Sequence, residues 1–137
     1  MRVLIDTNII LDVILNRAEH SRLARLLVRK HEAKLFQGFV SASAITDIYF
    51  LVEKERKHEF ALLAIKKIVR MLTVIPVDLE IIEAALMLPM KDFEDAVQTV
   101  AAKCYGIDIV VTRDKMGYDN SGMQVYSPEE FLEEKVK

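Results

Sequence analysis

Two spacings of apolar residues take turns along the chain: short uninterrupted runs, and longer segments in which apolar positions recur three and four residues apart. The first run, Val3-Leu4-Ile5, predicts a strand, and Thr7 and Asn8 offer cap chemistry for a helix running through Leu15. A second helix opens near Ser21, with Leu23, Leu26 and Leu27 on one side and Arg22, Arg25 and Arg29 on the polar side. Phe36 to Val40 predicts a second strand. Ser41 and Ser43 are candidate caps for a third helix reaching about Glu55, and a fourth spans His58 to Met71 with a stripe of Ala61, Leu62, Ile65, Ile68 and Val69. Thr73 to Pro76 predicts a short strand ended by proline, and Asp78 caps a helix through Leu88. Asp92 caps the most regular helix, where Phe93, Ala96, Val97, Val100, Ala101 and Cys104 keep helical spacing up to Gly106. Ile107 to Thr112 predicts a buried strand and Gln124 to Tyr126 a last short one. Ser127-Pro128-Glu129-Glu130 is a capping box with Pro at the first helical position.

Strands separated by helices imply right-handed crossovers, so the pattern predicts an α/β fold: a three-layer α/β/α sandwich around a central, mainly parallel sheet. With 137 residues and no internal repeat, linker or low-complexity tract, residues 1–137 are expected to form one domain. Hydrophobic residues at 52% and charged residues at 29% supply enough apolar surface for a core. Charges interrupt every apolar segment well short of a membrane span, and no secretory leader pattern opens the chain. Together with a single cysteine this predicts a cytoplasmic protein. A net charge of −2 argues against a protein that grips nucleic acid through Lys and Arg alone. It argues less against a nuclease whose acidic centre is neutralised by bound cations.

In an open parallel sheet, ligands collect beyond the carboxyl ends of the strands. Asp6 ends the first strand, and Asp114 follows Ile109-Val110-Val111-Thr112 with only Arg113 between. Either aspartate alone is equally well explained as a cap of whatever follows the strand. Asp47 sits in Ala44-Ile45-Thr46-Asp47-Ile48-Tyr49-Phe50-Leu51-Val52, apolar nearly all round, which predicts a buried carboxylate that meets a cation, a base, hydrogen-bond donors or a salt-bridge partner, or else stays protonated. Asp92 and Asp95 both project from a first helical turn, where acids are favoured whatever the protein does. Carboxylates at Asp6, Asp47, Asp95 and Asp114, without a histidine or cysteine cluster, suit a hard cation, Mg²⁺ or Mn²⁺, rather than zinc. His20, His31 and His58 lie in charged stretches expected to be exposed, and Cys104 is expected in the core. The chain has no Walker loop, no G-x-G-x-x-G and no nucleophile elbow.

These residues, in order, resemble a known family: Val3-Leu4-Ile5-Asp6-Thr7-Asn8, Thr46-Asp47, Asp92-Phe93-Glu94-Asp95-Ala96 and Val111-Thr112-Arg113-Asp114 look like the acidic motifs of PIN domains, across Met1 to about Met116. The resemblance implies an α/β/α sandwich, Mg²⁺- or Mn²⁺-dependent cleavage of RNA, and frequent homodimers. Small stand-alone members resemble the toxin half of VapBC toxin–antitoxin pairs, silenced by an antitoxin protein. Carried across, Asp6, Asp95 and Asp114 are metal ligands, Asp47 is the second acidic position, and Asn8, Thr112 and Asp92 support them. Two departures stand out. The toxin group often has Glu where this chain has the shorter Asp47, and Lys115-Met116-Gly117-Tyr118 replaces a short polar step and Phe. Arg17, Arg22, Arg25, Arg29 and Lys30, or Lys54, Arg56 and Lys57, are candidate phosphate contacts, against the alternative of a solvated helix face. The alternative from another class is a catalytically silent PIN-like module that acts by binding protein or RNA. A receiver-like phosphoacceptor domain would need paired acids near the first strand and a Lys ending the last, and the sequence has neither.

Overall fold

In a computed structural model that describes Met1–Lys137, Val3 and Leu4 are fully buried on opposite faces of the first strand, β1 (Arg2–Ile5). Such a strand needs cover on both sides, and the chain provides it in three layers. After β1 come α1 (Thr7–Ile14), α2 (Ser21–Glu32), β2 (Gln37–Ser41), α3 (Ala42–Glu55), α4 (His58–Met71) and β3 (Thr73–Ile75). They are followed by α5 (Leu79–Leu86), α6 (Phe93–Cys104), β4 (Ile109–Val111), a 3-10 turn (Lys115–Tyr118), β5 (Gln124–Tyr126) and α7 (Pro128–Glu134).

The five strands form one wholly parallel sheet in the order β3-β2-β1-β4-β5. On one face Val3, Ile5, Val40, Ile109 and Val111 pack against α1, α2, α3, α4 and α7. On the other, Leu4, Phe39, Ile75 and Val110 pack against α5, α6 and Tyr118. The predicted α/β/α sandwich is therefore the observed one. The Ser127 capping box is present in full, and Asp78 and Asp92 cap α5 and α6. No helix is long and apolar enough to cross a membrane.

Three local expectations are corrected. The stripe expected on α4 is too wide: Ala61, Ala64 and Ile68 meet the core, while Leu62 and Val69 are exposed. A helix that covers the sheet from its edge buries a narrower arc than its apolar residues span. Cys104 is exposed rather than core, because it falls in the last turn of α6, next to the Tyr105–Gly106 reversal. His31 is half-buried and structural: its Nδ1 accepts from Gly38 N–H at 3.0 Å, which leaves Nε2–H to donate to Met71 O at 2.7 Å. It ties α2 to β2 and to the end of α4.

Candidate active site

The sheet order turns back between β1 and β4, because β2 and β3 extend one way and β4 and β5 the other. That reversal opens a crevice at the strands' carboxyl ends, and the register sets its contents. Ile5 pairs with Val111, so Asp6 and Thr112 emerge side by side, with Asp6 N–H still bonded to Val111 O at 3.1 Å.

Asp6 is 5% exposed and caps α1, its Oδ1 accepting from Thr7 N–H at 2.7 Å. Thr112 Oγ1 donates to Asp6 Oδ2 at 2.7 Å. The same oxygen accepts from Asn8 Nδ2 at 3.2 Å and from Asp114 N–H at 3.0 Å. With two donors aimed at its lone pairs, the threonine's one proton points at Asp6. Asn8 is fixed in turn, since its Oδ1 accepts from Arg113 N–H at 3.2 Å. Asn8 and Thr112 are thus hydrogen-bonded to each other, to Asp6 and to the backbone of the Arg113–Asp114 loop. Gln98, completely buried on α6, brings Nε2 to 3.5 Å from Asp6 Oδ1.

Asp95 and Asp114 arrive from different elements and converge at Gly117. A Cβ there would stand 2.6 Å from Asp95 Oδ2 and 2.9 Å from Asp114 Oδ2, so the space between the two carboxylates demands a glycine. Asp114 also caps the 3-10 turn through Gly117 N–H. Asp92, in contrast, is exposed and spends its Oδ1 on Asp95 N–H at 2.9 Å as the N-cap of α6. Of the two acids on this turn, Asp95 is the one that faces Asp6 and Asp114.

The expectation for Asp47 is corrected. Its helix is not buried all round, since Phe50 is 62% and Leu51 42% exposed, and Asp47 itself is half-buried. The helix buries the face that carries Ala44, Ile48 and Val52 and leaves Phe50 and Leu51 outside it. The partner of Asp47 is Glu94, with which it shares a carboxyl–carboxyl hydrogen bond. Burial, that hydrogen bond and the charges of Asp47, Asp92 and Asp6 push Glu94 up to about 7. Asp95 is pushed up to about 8 by burial and then by Asp6, Asp92, Glu94 and Asp114. Burial raises Asp6 as well, against the donors that favour its charge.

Sequence reasoning missed three residues around this cluster. Glu94 stood in plain view between Asp92 and Asp95. Tyr118 is buried against Asp6, and burial with the nearby Asp6 and Asp95 charges holds its phenol well above the ordinary range. Asp12 is completely buried in α1 and pairs bidentately with Arg113, Nε to Oδ2 at 2.7 Å and Nη2 to Oδ1 at 3.1 Å, with Arg17 at 3.6 Å. An aspartate inside Ile9-Ile10-Leu11-Asp12-Val13-Ile14 carries the signal that singled out Asp47. Of the candidate phosphate contacts, Arg17 is thus engaged internally, and Arg25 bonds Asn16 Oδ1 at 2.7 Å.

As the side chains stand, no group of three Asp, Glu, His or Cys is placed to hold a metal ion. The donors nevertheless fit a hard divalent cation. They are oxygens only, Gly117 keeps the gap between two of them open, and a positive charge would relieve the repulsion that raises Asp95 and Glu94.

The PIN-domain profile matches residues 2–116. Ribonuclease VapC1 of Aquifex aeolicus (strain VF5) is 31% identical over 137 residues, covering 96% of this chain and 94% of that protein. In fold, the chain is similar to VapBC2 from Rickettsia felis bound to a promoter DNA fragment, with TM-score 0.73, 13% identity, and 93% and 98% of the two chains covered. It is also similar to Mycobacterium tuberculosis VapC20, a sarcin–ricin loop cleaving toxin, with TM-score 0.64, 16% identity, and 79% and 86% covered. The chain belongs to the PIN-domain family.

Proposed function

We propose that this chain is an endoribonuclease that hydrolyses RNA phosphodiester bonds with Mg²⁺ or Mn²⁺, held by Asp6, Asp95 and Asp114 with the Asp47–Glu94 pair beside them. The observation that carries the reading is the convergence of Asp6, Asp95 and Asp114, from three separate elements, on the crevice where the sheet reverses. The names of its relatives agree, one a ribonuclease and one a toxin that cleaves the sarcin–ricin loop. A bound divalent cation supplies Lewis-acid chemistry, lowering the pKa of a water and neutralising charge at phosphorus.

The chain's own residues explain the rest. Thr112 and Thr7 N–H hold Asp6 in one rotamer, so the most buried of the three proposed ligands is oriented before anything binds. Asn8 and Thr112 fix Asp114 through the backbone of its loop. The cluster repels phosphate until its charge is neutralised, so cleavage should require the cation.

The test is purified protein, a mixed RNA pool and either Mn²⁺ or a chelator. Cleavage with Mn²⁺, its loss with chelator, and its loss in Asp6→Asn with circular dichroism unchanged are expected. An active Asp6→Asn removes the proposed mechanism, and an inert wild type that still binds RNA or protein selects the silent module.

The same reading gives the chain a cytoplasmic setting and the toxin's role in a toxin–antitoxin pair. An apolar groove of about 360 Å³ between α1, α2 and α4, lined by Ile9, Val13, Leu27, Leu63 and Ile68, suits the apolar face of an amphipathic antitoxin segment. Exposed Leu79 and Leu86 on α5, with Met87 just after it, supply apolar surface for the homodimer.

A further inference from the structure

Asp12 is completely buried, and the Arg113 fork alone meets both of its oxygens, Nε to Oδ2 at 2.7 Å and Nη2 to Oδ1 at 3.1 Å. Arg17 nevertheless brings Nη1 to the same Oδ1 at 3.6 Å, an ion pair beyond hydrogen-bond reach. Two guanidiniums thus share one carboxylate oxygen, and the trio carries a net positive charge. Their donors are not used up. Arg113 has its Nη1 unspent and Arg17 its whole fork, and the two side chains are 30% and 36% exposed. The turn behind Arg17 is braced as well: Asn16 is left-handed at φ 50°, and its Oδ1 accepts from Arg25 Nη2 at 2.7 Å.

The arginine pair borders the acidic crevice. Arg113 lies between Thr112, which bonds Asp6, and Asp114, and its backbone N–H is held by Asn8 at 3.2 Å. Its guanidinium therefore runs from the rim of the crevice down the flank of α1 to Asp12. The start of α6, across the crevice, carries Asp92 and Glu94, which repel a phosphate. We propose that Arg113 and Arg17, held together by Asp12, bind a backbone phosphate of the RNA next to the scissile one, so that the strand leaves the crevice over α1. This rests on the ribonuclease reading above. Planar guanidinium forks match phosphate oxygens bidentately, and with Asp12 already fixing them little side-chain freedom is left to lose on binding. A backbone contact of this kind positions the strand without selecting its sequence.

The experiment is steady-state cleavage of a labelled, mixed-sequence single-stranded RNA with Mn²⁺ by wild type, Arg17→Gln, Arg17→Lys and Arg70→Gln, from about 50 to about 200 mM KCl. Arg70 is exposed at the end of α4, just before β3 and so at the amino ends of the strands, and controls for the loss of one charge far from the crevice. In Arg17→Gln, KM should rise about fivefold with kcat near the wild-type value, because the lost contact is shared by ground and transition states. The log–log salt dependence of KM should flatten by about 0.7, the share of one phosphate on a single strand. Arg17→Lys, which keeps the charge, should keep the wild-type slope, and Arg70→Gln should match wild type throughout. An unchanged KM and slope in Arg17→Gln overturn the proposal, as does a higher KM with an unchanged slope or a flatter slope that Arg70→Gln shares. Wild type that cleaves no RNA removes the ribonuclease reading itself, whereas wild-type cleavage with no effect of Arg17→Gln removes this inference alone.

Discussion

Asp95 is held protonated near neutral pH by burial and by four neighbouring carboxylates, and that has a measurable consequence for stability. Its proton is bound more tightly in the folded chain, at about 8, than at the ordinary 3.8 expected on unfolding. The folded state therefore binds the extra proton between those values, and stability falls as pH rises through that window. Glu94, raised to about 7, acts in the same direction. Glu130, exposed and lowered to about 2 mainly by Lys115, contributes stability that is lost only as pH falls below about 4, outside this window. The metal-free protein should lose stability steadily from pH 5 to pH 8, by no more than about 1 kcal/mol per pH unit since both acids are partly solvated, and its melting temperature should fall accordingly. Saturating Mn²⁺ should flatten the slope, because a cation favours the ionised carboxylates. Melting curves across that range with and without chelator check both statements, and a metal-free protein that gains stability toward pH 8 would contradict them.

Among the elements, α1 and the loop after β4 form one mechanical unit. Asn8 and Asp12, one helical turn apart, both seize residue 113, the first by its backbone and the second by its guanidinium. Arg113→Ala would leave Asp12 completely buried with only Arg17 at 3.6 Å. Removing one partner of a buried pair is costly, and with Arg17 remaining we expect a loss of about 2–3 kcal/mol in denaturant unfolding, together with weakened cleavage as the Asp114 loop loosens. Lysine should restore only part of this, since it lacks the planar fork that meets both Asp12 oxygens. A variant as stable as wild type would show that the pair is solvated in solution. These elements also show what the chain reveals when read as a string. Strands, helices and caps were legible because they depend on spacing within a few residues, and Asp6, Asp95 and Asp114 because strand ends and helix starts can be located that way. Asp12 and Glu94 were visible as acids, but their partners and the place of Tyr118 were not legible, since these depend on contacts between distant parts of the chain, 101 residues apart for Arg113 and Asp12. The exposed sides of α3 and α4 were misjudged for a related reason: periodicity identifies an apolar face and leaves open how much of it the core covers.

At the scale of the whole molecule, the acidic crevice and the apolar groove are separate places that share α1. Asp6 and Asn8 stand at its start toward the crevice, whereas Ile9, Val13 and Ile14 line the groove. A partner seated in the groove would therefore press on the helix whose cap is the central carboxylate, which gives a short physical route from binding to inhibition. Leu63 tests the route without touching the site, because it lines the groove yet is 58% exposed. Placing a charge at such a position changes the free protein by about 0.5 kcal/mol or less, but it buries an unpaired ion once an apolar helix docks. Leu63→Arg should thus unfold and cleave RNA as wild type does, and, if a small protein encoded beside its gene inhibits the wild type when the two are purified together, should lose that inhibition. Inhibition retained by Leu63→Arg would place the antitoxin elsewhere on the surface, and the absence of any small neighbouring reading frame would remove the toxin–antitoxin role while leaving the ribonuclease reading in place.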